Sequence, residues 1–133
     1  MSTPDLEPSP YERMGGAPFF TDLVHEFYLG VATDDPLRAL YPEADLGPAE
    51  VRLRMFLEQY WGGPKTYSEQ RGHPRLRQRH VPYLIDAAQR DRWLEHMGSA
   101  LAIAADRHDL DPELSQQLWT YLTSAAMSLV NAP

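Results

Sequence analysis

The stretch Pro48-Ala49-Glu50-Val51-Arg52-Leu53-Arg54-Met55-Phe56-Leu57-Glu58-Gln59-Tyr60-Trp61-Gly62-Gly63-Pro64 decides the fold class. Ala49, Leu53, Phe56, Leu57 and Tyr60 recur at i, i+4, i+7, i+8 and i+11, the spacing of one face of an α-helix. Proline at its start and paired glycines at its end supply the expected boundaries, because proline suits a first helical turn and glycine a left-handed stop.

The same reading extends outward in both directions. Upstream, Phe20, Leu23, Val24, Phe27, Tyr28 and Val31 form a second apolar face after Gly15-Gly16-Ala17-Pro18. Asp35-Pro36 reads as a cap and first helical position for a short turn, Leu37–Tyr41, that stops before Pro42. Downstream, Asp86 and Gln89 form a capping box ahead of Trp93, Met97, Ala100 and Ala104, with Leu94 and Leu101 beside them. Asp111-Pro112 opens a last helix carrying Leu114, Leu118, Tyr121, Leu122, Ala125 and Leu129, ended by Asn131 and Pro133. No alternating strand and no internal repeat interrupts these patterns, so the class is all-α.

Length and charge bound what such a chain can do. With 133 residues it holds one core, expected over 11–133, behind a loose acidic, proline-rich tail over 1–10. A net charge of −7 disfavours nucleic acid and anionic lipid as partners, and no apolar run reaches membrane length, so a cytoplasmic protein is expected. The absence of cysteine excludes disulfides, thiolate zinc, cysteine-ligated iron–sulfur clusters and thioether-linked haem. Any metal or cofactor must be held by nitrogen or oxygen ligands.

Between Pro64 and Pro82 the periodicity fails, and the segment reads as an extended loop with at most a short helix at Leu76–His80. Lys65, Arg71, Arg75, Arg77 and Arg79 face Glu69 alone, giving residues 65–80 a local charge of +4 on an acidic chain. That island suits a small anion; a solvated loop whose arginines pair with acidic helices is the competing reading. Of five histidines, His25 and His108 read as surface residues, His96 faces either solvent or the pocket with solvent favoured, and His73 reads as a structural loop residue. His80 differs, because it closes the basic segment where the chain turns inward at Val81-Pro82-Tyr83. One imidazole, an apolar helix face, an arginine island and aromatics from several segments suit a non-covalent b-type haem. The competing reading of the aromatics is an ordinary core.

Residues Arg52 through Pro64, followed by Thr66-Tyr67-Ser68-Glu69-Gln70-Arg71-Gly72-His73-Pro74-Arg75-Leu76-Arg77 and His80, closely resemble the group II, or O-type, truncated haemoglobins. Gly15-Gly16, Phe27-Tyr28, Tyr41-Pro42, Arg90-Asp91-Arg92-Trp93 and Ser128-Leu129-Val130-Asn131 extend the match over nearly all but the first ten residues. The resemblance implies a two-over-two helical sandwich around haem, with His80 as iron ligand and Tyr28, Tyr41 and Trp93 as distal polar residues that act on a bound ligand. It places Ala49 where many globins carry a distal histidine, and Leu53, with Phe56 on the same helix face, among the apolar residues around the cofactor. Arg77 and Arg79, and secondarily Tyr67, are the implied partners of the propionates.

Donors aimed at a gas ligand that gains negative charge on binding slow its release. The expected partners are therefore O2, CO, NO or peroxide, together with an unidentified electron donor. The expected function is tight oxygen binding with redox chemistry such as nitric oxide dioxygenation or peroxide reduction. An oxygen store, carrier or sensor would use the same pocket without turnover, and a haem-free helical interaction module would leave His80 and the arginines unexplained. Tyr28 and Tyr41 are also candidates for an oxidative cross-link. The oligomeric state stays open, a homodimer included.

Overall fold

The computed structural model describes residues 7–80, 83 and 85–131. Among them lie eight helices and no strand: α1 (Pro10–Arg13), α2 (Gly16–Ala32), α3 (Asp35–Arg38), α4 (Gly47–Tyr60), α5 (Thr66–Arg71), α6 (Leu76–His80), α7 (Ala87–Arg107) and α8 (Pro112–Ser128). None is long and apolar enough to cross a membrane. The pair α2–α4 stacks on the pair α7–α8, mainly through α2 against α7.

The apolar faces read from the sequence are the ones that pack. Phe20, Leu23, Val24, Phe27 and Val31 of α2 are fully buried, and Met97, Ala100, Leu101 and Ala104 of α7 meet them as one core with Leu114, Leu118 and Leu122 of α8. The Asp86–Gln89 capping box forms in both directions, and the Asp111 side chain accepts from the Glu113 N–H at 2.8 Å. Each satisfies donors that a helix start otherwise leaves unpaired.

Four expectations need revision. The cap of α3 is Asp34 rather than Asp35: its carboxylate accepts from the Leu37 N–H, which puts Pro36 in the first turn one place further in. The ordered chain begins before residue 11, since Ser9 caps α1 in a capping box with Glu12 and the Tyr11 N–H donates to the Trp61 carbonyl at 2.8 Å. Residues 1–6 of the expected tail lie outside the described residues. Helix α5 occupies what reads as loop; one buried side chain, Tyr67, is too little for a periodic signal. Its support is lateral, from Gln59, which accepts from the Ser68 N–H at 2.9 Å and donates to the Ser68 hydroxyl at 2.7 Å.

His96 and His108 are the fourth revision. Both are largely covered and tie α7 back to earlier helices, His96 to Asp34 at 2.8 Å and His108 to Asp22 at 2.7 Å. These bonds hold both carboxyl groups below the ordinary aspartate range. His25 is exposed as expected, beside Glu50.

The His96 ring lies directly on the backbone of α2, where a Cβ added at Gly30 would sit 2.4 Å from its Nδ1. Alanine normally favours a helix over glycine by about 1 kcal/mol. Here the clash dominates, because relief requires moving a ring held by Asp34. Gly30→Ala is expected to lower stability by about 1–3 kcal/mol, read as a lower urea midpoint with unchanged slope.

Candidate haem site

One cavity of about 470 Å3 opens between the two helix pairs, a size typical of cofactor sites. Helix α4 brings Ala49, Leu53 and Phe56 to its wall, α2 brings Tyr28, and α7 brings Trp93. Tyr41, Tyr67, Arg79 and His80 complete the set expected from the sequence. The Arg77 side chain, also expected there, lies outside the described residues.

His80 is the only histidine among the described lining residues. Its Nδ1–H donates to the Leu76 carbonyl at 2.6 Å, one helical turn back. That bond commits Nδ1 and leaves Nε2 as the ring atom with a lone pair for a metal, the usual arrangement for a ligating imidazole. His80, Tyr83 and Ile85 are tied to the far end of the chain. Asn131 donates through its side chain to the His80 and Tyr83 carbonyls at 3.2 and 2.8 Å, and accepts from the Ile85 N–H at 2.8 Å. In the sequence Asn131 reads only as a helix stop; a contact across some fifty residues carries no local signal.

Tyr28, Tyr41 and Trp93 meet at the cavity wall. The Tyr28 and Tyr41 rings stand edge to face with centroids 5.7 Å apart, close enough to keep the cross-link reading geometrically open. Burial pushes the Tyr28 hydroxyl far above the ordinary phenol range and raises that of Tyr41 as well. At Tyr41 the neighbouring Tyr28 hydroxyl and Trp93 indole oppose this rise. All three groups therefore remain proton donors at neutral pH. The Tyr41 hydroxyl is itself both a donor and an acceptor.

The arginines divide differently from expectation. Arg79 spends its guanidinium on the chain, donating to the Pro74, Arg71 and His73 carbonyls at 2.7, 2.8 and 3.4 Å, and so braces the segment before His80. Arg71, from the basic island, also lines the cavity, as do Arg52 and Arg90, which sequence reasoning missed. Arg52 pairs with Glu43 at 2.6 Å and Arg90 with Asp91 at 3.0 Å, whereas Arg71 lies over the Tyr67 ring at 5.9 Å.

These residues fit a haem: an apolar chamber, one imidazole with its second nitrogen oriented, arginine at the wall and no thiol to bind covalently. The comparisons with known proteins agree. A family model described as bacterial-like globin matches residues 9–130. The group 2 truncated haemoglobin YjbI of Bacillus subtilis is 37% identical over 123 residues, covering 92% of this chain and 89% of that one. Among solved structures, a thermostable haemoglobin from the actinobacterium Thermobifida fusca is similar with a TM-score of 0.90 and 59% identity, covering 95% of this chain and 99% of that one. The group II truncated haemoglobin of Bacillus anthracis is similar with a TM-score of 0.85 and 32% identity, covering 96% of this chain and 94% of that one. The chain thus belongs to the bacterial-like globins, and within them to the group II truncated haemoglobins, haem proteins that bind gases.

Proposed function

We propose that this protein holds haem b non-covalently through His80 Nε2, retains oxygen tightly and carries out redox chemistry on O2, NO or peroxide. The observation that carries this reading is the convergence of Tyr28, Tyr41 and Trp93 on the cavity lined by His80. Haem supplies, when bound, an iron that binds diatomic gases and exchanges electrons with them.

The chain's own residues shape that chemistry. Leu53, Phe56 and Ala49 exclude water from the chamber. Arg71 is the better candidate for a propionate than Arg79, whose hydrogen bonds go to backbone carbonyls. Tyr41 presents an O–H to the gas ligand, with Tyr28 and Trp93 beside it at the same wall. Slow release favours chemistry over delivery, and turnover draws on a separate electron donor. We place the working protein in the cytoplasm.

A hydrogen bond to a charged acceptor contributes about 1.5–3 kcal/mol, or about 10- to 150-fold in rate. Stopped-flow oxygen release is expected to accelerate by about that factor in Tyr41→Phe, and by less in Trp93→Phe, which leaves the Tyr41 hydroxyl in place. Unchanged release in both variants rejects the retention role. Fast release from the wild type, with no reaction of its oxygenated form with NO, favours an oxygen store, carrier or sensor.

A further inference from the structure

Tyr121 of α8 differs from the other tyrosines at the cavity wall. Its ring lies face to face with that of Tyr60, centroids 3.9 Å apart and planes 27° off parallel, closer than aromatic pairs usually approach. Tyr60 ends α4 and is 53% exposed. A side chain lining the chamber is thus in direct ring contact with one that meets solvent. Tyr28 and Tyr67 also line the cavity, but both are buried, and their ring neighbours are cavity-lining or core side chains. Tyr83 has His80 as its ring neighbour, at 6.5 Å.

We propose that Tyr121 and Tyr60 form a one-electron conduit from the cavity to the surface, making Tyr60 an oxidation site for electron-rich phenols too bulky to enter the chamber. The inference rests on the redox reading above and specifies its reducing substrate. The co-reactant is hydrogen peroxide, whose O–O bond breaks as it takes up two electrons and two protons to give two waters. Each electron leaves Tyr121 with its hydroxyl proton, is replaced from Tyr60, and is replaced there from the phenol. The net change is one peroxide and two phenols giving two waters and two phenoxyl radicals. Burial and the neighbouring Tyr60 hydroxyl push the Tyr121 phenol up to about 12, whereas exposed Tyr60 can pass its proton to water. The electron vacancy therefore comes to rest at Tyr60.

The test uses the haem-loaded protein, Tyr60→Phe and Tyr121→Phe, each matched by Soret absorbance. Each is treated with peroxide and a nitroso spin trap, and the adducts are mapped by peptide mass spectrometry. The wild type is expected to carry its adduct on Tyr60, and Tyr121→Phe to lose at least about 90% of it. With a polymer-tethered phenol as donor, Tyr60→Phe is expected to oxidise at least about tenfold more slowly while still consuming peroxide with ascorbate. Adducts confined to other tyrosines, or tethered-phenol oxidation unchanged in Tyr60→Phe, overturn the conduit and leave the redox reading standing. A wild type that consumes no peroxide with either donor removes peroxide chemistry from that reading and the conduit with it.

Discussion

His80→Gly is expected to release haem at least about 100-fold faster than the wild type, followed by transfer to an acceptor apoglobin, and free imidazole is expected to restore most of the difference. Even groups that merely orient a metal ligand are worth about 10- to 100-fold, so loss of the ligand itself should exceed that range. Restoration by imidazole separates loss of the metal bond from loss of the fold. His73→Gly is the matched control: it lies in the same basic segment, is exposed, and contributes to the Arg79 brace only through its carbonyl. Its Soret band and haem release should match the wild type. If His80→Gly also matches, the iron is held elsewhere and the proposed site fails.

The largest stability effect is expected at Phe27. This side chain is wholly buried and lies edge-on to both Tyr28 and Trp93, with ring centroids 4.9 and 5.1 Å away. Phe27→Ala should lower stability by about 3–5 kcal/mol, a large part of the ~5–15 kcal/mol available to a domain of this size. Phe27→Leu, which keeps most of the volume, should lose under about 1.5 kcal/mol. Urea unfolding of both variants measures the pair. Since Phe27 backs two of the three donors at the cavity, oxygen release from Phe27→Leu should accelerate more than its modest destabilisation suggests. Equal stability of wild type and Phe27→Ala contradicts the packing described.

How much of this was legible in the chain depends on how far each signal reaches. Helices α2, α4, α7 and α8 announce themselves because each buries a continuous stripe, and the Asp86–Gln89 box lies within four residues of itself. The cavity residues Ala49, Leu53, Phe56, Tyr28 and Trp93 emerged from those stripes and the resemblance together. Helix α5 escaped because its support comes from Gln59, on another helix. Arg79 escaped because a basic run looks the same whether its guanidinium meets an anion or three carbonyls. Glu58 sits as a buried carboxylate on what looks like the wet side of α4. It stays there by pairing with Arg54 at 2.9 Å, while burial lifts its carboxyl above the ordinary range.

The notch at Gly30 also bears on how such sequences can change over time. A side chain at position 30 becomes admissible only when the ring at 96 is gone, and losing that ring removes a tie to Asp34, the cap of α3. Either single replacement descends before the second can recover, so the two positions are inherited as a unit. Between descendants of this chain, a glycine at 30 should travel with a ring at 96, and their separation should mark lineages in which Asp34 has found another partner on α7.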